Sequence, residues 1–269
     1  MRGINARRFF VDPAYIDDPL IRITGPDVNH ITRVLRLGRG STVVVLDGKG
    51  RSYEAEIQNP GKEEVLCRIK KELLTVPACP IKLTLVQGIT KGDKMNMIIQ
   101  KGTELGASRF IPLICRRTVV KLDAGRMEKK IGRWQRIAME AAKQCRRPDV
   151  PEVTEAVGLN RLLASLPRQC VALMPWEEER HVLLKDVLRK SHTGEEVYVL
   201  IGPEGGFAAP EVEQAQTCGV KAVTLGPRIL RTETAGMAVL TMVLSSWGDL
   251  GGENSDKKKG GHIHPGVQG

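Results

Sequence analysis

From Ile81 onward the chain alternates two rhythms: short apolar runs, and longer stretches in which every third or fourth position is apolar. The first rhythm marks buried strands and the second marks helices with one face inward. Strands are predicted at Ile81–Val86, Arg109–Cys115, Cys170–Pro175, Val197–Ile201 and Ala222–Leu225. A helix is predicted over Gly92–Gly106, with Met95, Ile98, Ile99, Gly102 and Leu105 on one face and Gly106 as its cap. Gly102 inside that helix costs about 1 kcal/mol against alanine, which implies a neighbour approaching closely. A longer helix follows over Arg126–Arg147, striped by Ile131, Trp134, Ala138, Ala141 and Cys145 and ended by Pro148. Its other face carries Arg133, Arg136, Lys143, Arg146 and Arg147, and Arg136 is positioned to pair with Glu140. Shorter helices are predicted at Val157–Leu166, His181–Arg189 and after Pro210. The last, Glu233–Leu244, is apolar nearly all round and therefore expected to be buried. Alternating strands and helices imply an α/β domain over 81–250, with a mostly parallel sheet covered on both faces.

Ahead of Ile81 the pattern is that of strands alone. Arg8–Val11, the β-branched Thr42–Leu46, the turn Asp47-Gly48-Lys49-Gly50, Arg51–Ile57 and Glu64–Lys70 describe a small β-barrel-like module over 1–72. Within it, His30–Gly38 reads as a short helix or turn whose apolar positions alternate with His30, Arg33 and Arg36. Residues 73–80, with Pro77 and Pro80, read as a linker. The Gly- and Lys-rich 251–269 reads as a disordered tail.

Two strands end in Gly-Pro turns, IGPEGG at Gly202 and LGPRILR at Gly226, each followed by a helical pattern. Strand, glycine turn, helix, repeated, is how an α/β protein builds a small-molecule site at the carboxyl ends of its strands. Neither turn is a dinucleotide fingerprint or a P-loop, and Glu204, Glu211 and Glu213 oppose a phosphate. A ligand with hydroxyls or a positive centre suits Glu204 better. In the second turn Thr232 is the expected N-cap, and burial of the following helix brings Arg228 and Arg231 to a cleft.

The formal charge of +10 and a pI near 9.4 suit either a polyanionic partner, nucleic acid first, or simply a surface that resists aggregation. Six cysteines without C-x-x-C spacing, and no histidine at ligand spacing from them, argue for reduced thiols and no metal site. MRGINARRFF lacks a signal-peptide core and no apolar run has membrane-spanning length, so a cytoplasmic protein with no membrane partner is expected.

IGPEGGF, LGPRILRTETA, KGDKMNMIIQKGTELGASRFIPL and RWQRIAMEAAKQC, with RRFFV and HITRVLRL ahead of them, resemble the RsmE family. These are SPOUT-class methyltransferases acting on N3 of a uridine in 16S ribosomal RNA. The resemblance runs from Arg7 to about Leu244. It implies a SPOUT-type domain with a deep trefoil knot, a PUA-like N-terminal domain, a homodimer, and 16S rRNA or the small ribosomal subunit as partner. Connection rules alone would argue against a knot. It implies S-adenosylmethionine as cofactor, held by Leu173, Met174 and Pro175, by Ile201, Gly202, Pro203, Glu204 and Gly205, and by Leu225, Gly226, Ile229, Leu230 and Thr234. Uracil N3 must lose a proton, and Arg231 is the candidate to stabilise the resulting anion, unless it pairs with Glu204 or Glu233 instead. RNA-binding candidates are Arg7, Arg8, His30, Arg33 and Arg36 on the first module and Lys91, Lys94, Arg133, Lys143, Arg146 and Arg147 on the second domain, with His30 equally readable as a turn histidine. Arg146 stands where the family pattern leads one to expect glycine, and Gly102 where it leads one to expect alanine. Alternative activities are methylation of a tRNA ribose hydroxyl, or RNA binding without catalysis.

Overall fold

Apolar residues at every second position need a partner surface, and in the N-terminal third they find it within one mixed sheet. The description rests on a computed structural model and covers residues 7–73, 79–119, 124–190 and 195–252. The sheet comprises β1 (Arg8–Phe10), β2 (Ile16–Asp17), β3 (Leu20–Thr24), β4 (Thr42–Leu46), β5 (Ser52–Pro60) and β6 (Glu64–Leu73), in the order β1-β4-β5-β6-β3-β2. Only β1 and β4 run parallel. Asp47 closes the β4–β5 turn by accepting from the Lys49 and Arg51 backbone N–H groups at 2.8 and 2.9 Å. Between β3 and β4 a short helix, α1 (Pro26–Asn29), widens into a π-helical turn over His30–Val34 that buries Ile31. The strand β3 was not expected. Its alternation buries Ile21 and Ile23 and exposes Arg22, but Pro19 and the Gly25-Pro26 pair bracket it with turn residues.

The second domain begins at β7 (Lys82–Gly88) and continues through α2 (Lys94–Leu105), β8 (Arg109–Ile114), α3 (Ala124–Cys145), β9 (Glu152–Val153) and β10 (Val157–Gly158). It ends with α4 (Leu159–Ser165), β11 (Val171–Pro175), α5 (Leu184–Leu188), β12 (Glu196–Ile201), α6 (Ala209–Thr217), β13 (Lys221–Val223) and α7 (Thr232–Trp247). All its strands run parallel in the order β10-β8-β7-β12-β11-β13, with β9 also paired to β8. One core packs α2, α3, α5 and α7 on the sheet, and a second packs α4 and α6 on the opposite face. Helices on both faces of a parallel sheet is the arrangement the alternation predicted. The two-residue strands β9 and β10 carry too short a pattern to be read in advance.

Gly102 is explained by contact: a Cβ there would lie 2.7 Å from the Phe110 ring. Three expectations need correction. Glu140 pairs with Lys143 at 3.1 Å, while Arg136 donates to the Gly132 carbonyl within its own helix. Helix α7 is buried on one side only, because Thr234, Thr241, Met242 and Ser245 are exposed along the other. Thr232 does not cap α7; Arg231 is the N-cap, without a side-chain bond, and Thr232 is the first helical residue. Of the linker and tail, 74–78 and 253–269 lie outside the described residues. Among the described residues no helix is long and apolar enough to cross a membrane.

The two domains meet where Gly48 and Lys49 bridge Asp149 and where the Val150 N–H donates to the Gly48 carbonyl at 3.2 Å. An ion pair between Lys143 of α3 and Asp27 of α1, at 3.3 Å, joins them a second time.

Candidate functional site

Three neighbouring strands, β12, β11 and β13, end on the same edge of the sheet, and the loops after them enclose a cavity of about 410 Å³. Its walls are Pro175–Glu177 and Arg180 after β11, Gly202–Gly206 after β12, and Thr224–Thr232 after β13. That volume falls in the range of sites for small organic ligands. The first turn can fold so tightly because Gly206 has φ +66°, with the Glu177 carboxylate where a side chain would begin. Gly226 opens the second turn at φ +106°.

A buried polar cluster joins these loops. The Thr232 hydroxyl donates to the Gly202 carbonyl at 2.5 Å and accepts from Gln87 Nε2 at 2.9 Å. Gln87, 1% exposed at the end of β7, also donates to the Gly88 carbonyl at 3.1 Å. One hydroxyl and one amide therefore fix both loops to the sheet. Glu211 is buried elsewhere. Its carboxylate accepts from the Ala208 and Arg116 N–H groups at 2.9 and 2.8 Å, holding the start of α6 rather than facing a ligand.

Charge is sorted along the rim. Lys94, at the start of α2, bridges Glu204 at 3.5 Å and Glu233 at 3.4 Å, and the Lys91 N–H donates to Glu204 at 3.1 Å. Burial alone would raise the Glu204 pKa. Hydrogen bonds from its own and the Lys91 backbone, together with the Lys94 ammonium, outweigh that and hold it below the usual carboxylate range. The two carboxylates that the sequence offered as partners for Arg231 are thus engaged by Lys94. Arg231 and Arg228 are exposed on the cavity rim and make no ion pair among the described residues. The indole N–H of Trp176, on the same wall, is buried without a hydrogen-bond acceptor.

Of the sequence-predicted ligand residues, Pro175, Gly202, Pro203, Glu204, Gly205, Leu225, Gly226, Ile229 and Leu230 line this cavity, and so does the catalytic candidate Arg231. Leu173, Met174 and Ile201 lie beneath it, with side chains buried in the cores at 0%, 0% and 3% exposure. Thr234 is exposed and is not part of the lining. Gln87, Lys94, Trp176 and Arg180 were not read as part of this site. A lone amide closing an otherwise apolar strand was the available signal for Gln87. Lys94 gave none, since 110 residues' worth of chain separates it from Glu204 in all but space.

The basic candidates divide. Arg7, Arg8, His30 and Arg146 line a cleft of about 670 Å³ between the two domains, with Phe9, Pro26, Asp27, Glu140, Lys143 and Gln144. Arg33 and Arg36 are exposed on and after the π-helical turn, outside this lining. Arg147 points the other way: its guanidinium donates to the Thr103 and Ala107 carbonyls at 3.0 and 2.8 Å and pairs with Asp149. Its charge serves the end of α2, so it does not join the exposed basic set.

An open parallel sheet, helices on both faces, a ligand-sized cavity at the strand ends and a basic β module beside it define a two-domain α/β enzyme for a small cofactor and a polyanion. The chain belongs to the RNA methyltransferase family: the RNA methyltransferase domain matches residues 77–244, and the RNA methyltransferase PUA domain matches residues 23–70. It is 36% identical, over 84% of its length and 90% of the relative's, to the ribosomal RNA small subunit methyltransferase E of Bacillus subtilis (strain 168). Among solved structures it resembles a ribosomal RNA small subunit methyltransferase E from Neisseria gonorrhoeae bound to S-adenosyl methionine, with 32% identity and a TM-score of 0.82. The match covers 91% of this chain and 100% of that one. A Legionella pneumophila protein solved in complex with the bound cofactor SAM matches at 31% identity and a TM-score of 0.82, over 92% and 100% of the two chains.

Proposed function

We propose that this protein transfers a methyl group from S-adenosylmethionine to N3 of a uridine in 16S rRNA. The observation that carries the chemistry is Arg231, unpaired on the rim of the cavity that the two glycine loops form. The residues present fit the cofactor. The backbone of Leu225 to Leu230 offers hydrogen-bonding groups for a purine, and the Glu204 carboxylate suits ribose hydroxyls or a positive centre. The orphaned Trp176 N–H supplies a further donor on the wall. Bound there, S-adenosylmethionine supplies an electrophilic methyl on a sulfonium. The enzyme's own task is to make uracil N3 nucleophilic. As N3 gives up its proton to solvent, charge spreads to the flanking carbonyl oxygens, and the Arg231 guanidinium stabilises it. Arg231 acts as a fixed positive charge and not as the base. Lys94 holds Glu204 and Glu233 away from Arg231 and so keeps that charge available.

RNA is the polyanion that the +10 charge and the PUA-type module suit. Arg7, Arg8, His30, Arg33, Arg36 and Arg146 are the residues proposed to meet it. We propose a homodimer as well, supported by the open face of α7, where Thr241, Met242 and Ser245 leave an otherwise apolar helix uncovered. The deep knot belongs with these proposals. Its support is the meeting of β7, the first loop and the start of α7 at Gln87, Gly202 and Thr232.

The test is Arg231→Ala in the full chain, with methylation read by primer extension, since N3-methyluridine cannot form a Watson–Crick pair and arrests the polymerase. Loss of one such donor is expected to slow turnover about 10²–10³-fold, with S-adenosylmethionine affinity by calorimetry unchanged. Near-wild-type methylation by the variant would remove Arg231 from the reaction.

A further inference from the structure

Among the described residues two non-glycine positions have positive φ, and both are arginines: Arg36 at 53° and Arg146 at 67°. A left-handed backbone crowds Cβ against the next carbonyl, which is why glycine usually fills such positions. Arg146 directly follows α3, and the turn there lets the Arg147 N–H donate to the Ala142 carbonyl at 3.0 Å. Ending the helix would need no side chain at all. The side chain that is present leaves the strained turn for the interdomain cleft, while Arg147 is sent inward to Thr103 and Ala107.

In that cleft Arg146 faces Arg7 and Arg8 from the other domain. The carboxylates nearby are already engaged, since Lys143 takes Asp27 at 3.3 Å and Glu140 at 3.1 Å. None of the three arginines has an anionic partner among the described residues. Burial, and then the Arg146 guanidinium, hold Arg8 below the ordinary arginine range, as expected of two cations held close without an anion. His30 lies at the same cleft, its ring edge-on to Phe9 with centroids 6.3 Å apart. A left-handed backbone kept at an arginine, and like charges left unpaired beside it, are two independent signs of a site completed by an anion.

We propose that the interdomain cleft seats a backbone phosphate of the RNA substrate between Arg8 of the N-terminal module and Arg146 of the methyltransferase domain, so that the strand crosses the seam between them. This rests on the reading that the substrate is RNA. It adds a defined phosphate seat, away from the cofactor cavity, that sets the position of one domain on the RNA relative to the other.

The experiment uses the full chain and a fluorescent hairpin fragment of small-subunit rRNA, with binding measured between about 50 and about 200 mM salt. Arg146→Gly removes the charge and the strain together. One lost phosphate contact flattens the salt slope by roughly 0.7–0.9, so its affinity deficit against wild type should shrink about three-fold over that range. The thermal midpoint should hold or rise, and calorimetric S-adenosylmethionine affinity should not change. Arg8→Gln should flatten the slope similarly, and Arg146→Lys should restore most of it. An unchanged slope in both Arg146→Gly and Arg8→Gln would overturn the seat. So would thermal stabilisation of wild type by inorganic phosphate, lost in both variants, without any change in RNA slope; the cleft would then hold a free anion. If wild type binds the hairpin with the predicted slope but never methylates it, the methyltransferase reading fails and the seat stands.

Discussion

Thr232→Val is the substitution that best tests how the cavity is built. Valine matches threonine in shape, so packing is preserved at this 8% exposed position and only the hydroxyl is lost. Two bonds go with it: the 2.5 Å donation to the Gly202 carbonyl and the 2.9 Å bond accepted from Gln87. Neither partner is fully orphaned. Gln87 keeps the Gly88 carbonyl at 3.1 Å and already reaches the Gly202 carbonyl at 3.5 Å. A buried group left without a partner costs about 1–3 kcal/mol, so two partly rescued groups together should cost about 2 kcal/mol. For a chain of this size that lowers the melting midpoint by about 4–8 °C. Thr232→Ser keeps both bonds and gives up one methyl group, about 0.8 kcal/mol. Hydrophobicity alone ranks valine above serine; the network predicts the reverse. Denaturant unfolding of the three proteins decides the order, and calorimetry should show S-adenosylmethionine affinity falling about ten-fold in the valine variant, or 1.4 kcal/mol. A valine variant more stable than the serine variant would refute the view that this hydroxyl holds the loops together.

Two further outcomes follow from packing and burial. Gly102→Ala gains about 1 kcal/mol of helix propensity but drives a Cβ to 2.7 Å from the ring of Phe110, itself 1% exposed. Overpacking costs about 1–3 kcal/mol, so a net loss of about 1 kcal/mol is expected in denaturant unfolding. Combining it with Phe110→Leu should recover stability relative to the sum of the single changes, and simple additivity would mean that the ring is not the obstacle. Burial pushes the Cys67 and Cys115 thiols up to about 12, whereas Cys218 is exposed. A thiol reagent at about pH 8 should label Cys218 quickly and reach Cys67 and Cys115 only after denaturation, as peptide mass spectrometry would read. Because their folded pKa values are raised, these thiols add stability below the unfolded value, and the chain should lose it as pH climbs toward 12.

Periodicity carried the second domain because each of its helices turns a stripe to a sheet that is buried on both sides. Met95, Ile98 and Ile99 on α2 and Trp134 and Ala138 on α3 are core residues as their spacing implied. Where a segment is short, spacing has little to work with: β3 spans five residues between two proline turns, and β9 and β10 span two each. Helix α7 shows a different failure. Its polar positions, Thr234, Thr241 and Ser245, are small enough to pass for core, so an apolar composition concealed an open face.

The site was legible as loops and illegible as pairings. Gly-Pro turns at successive strand ends are local signals, and the cavity stands where they put it. Which carboxylate neutralises which cation is a matter of tertiary distance. Arg231 lies two residues from Glu233, yet Lys94, far back in the chain, takes that carboxylate and Glu204 as well. Arg146 and Arg147 make the same point from the other side. As neighbours on the basic face of a predicted helix they look equivalent. The helix stops at Cys145, and a single left-handed residue turns them apart. One guanidinium then satisfies carbonyls at the end of α2, and the other faces Arg8 across the cleft. Substituting Arg147 should therefore cost stability before it costs RNA affinity, and substituting Arg146 should do the opposite. Charge counted along a sequence gives the sign of a partner, and only backbone conformation decides which charges are left to meet it.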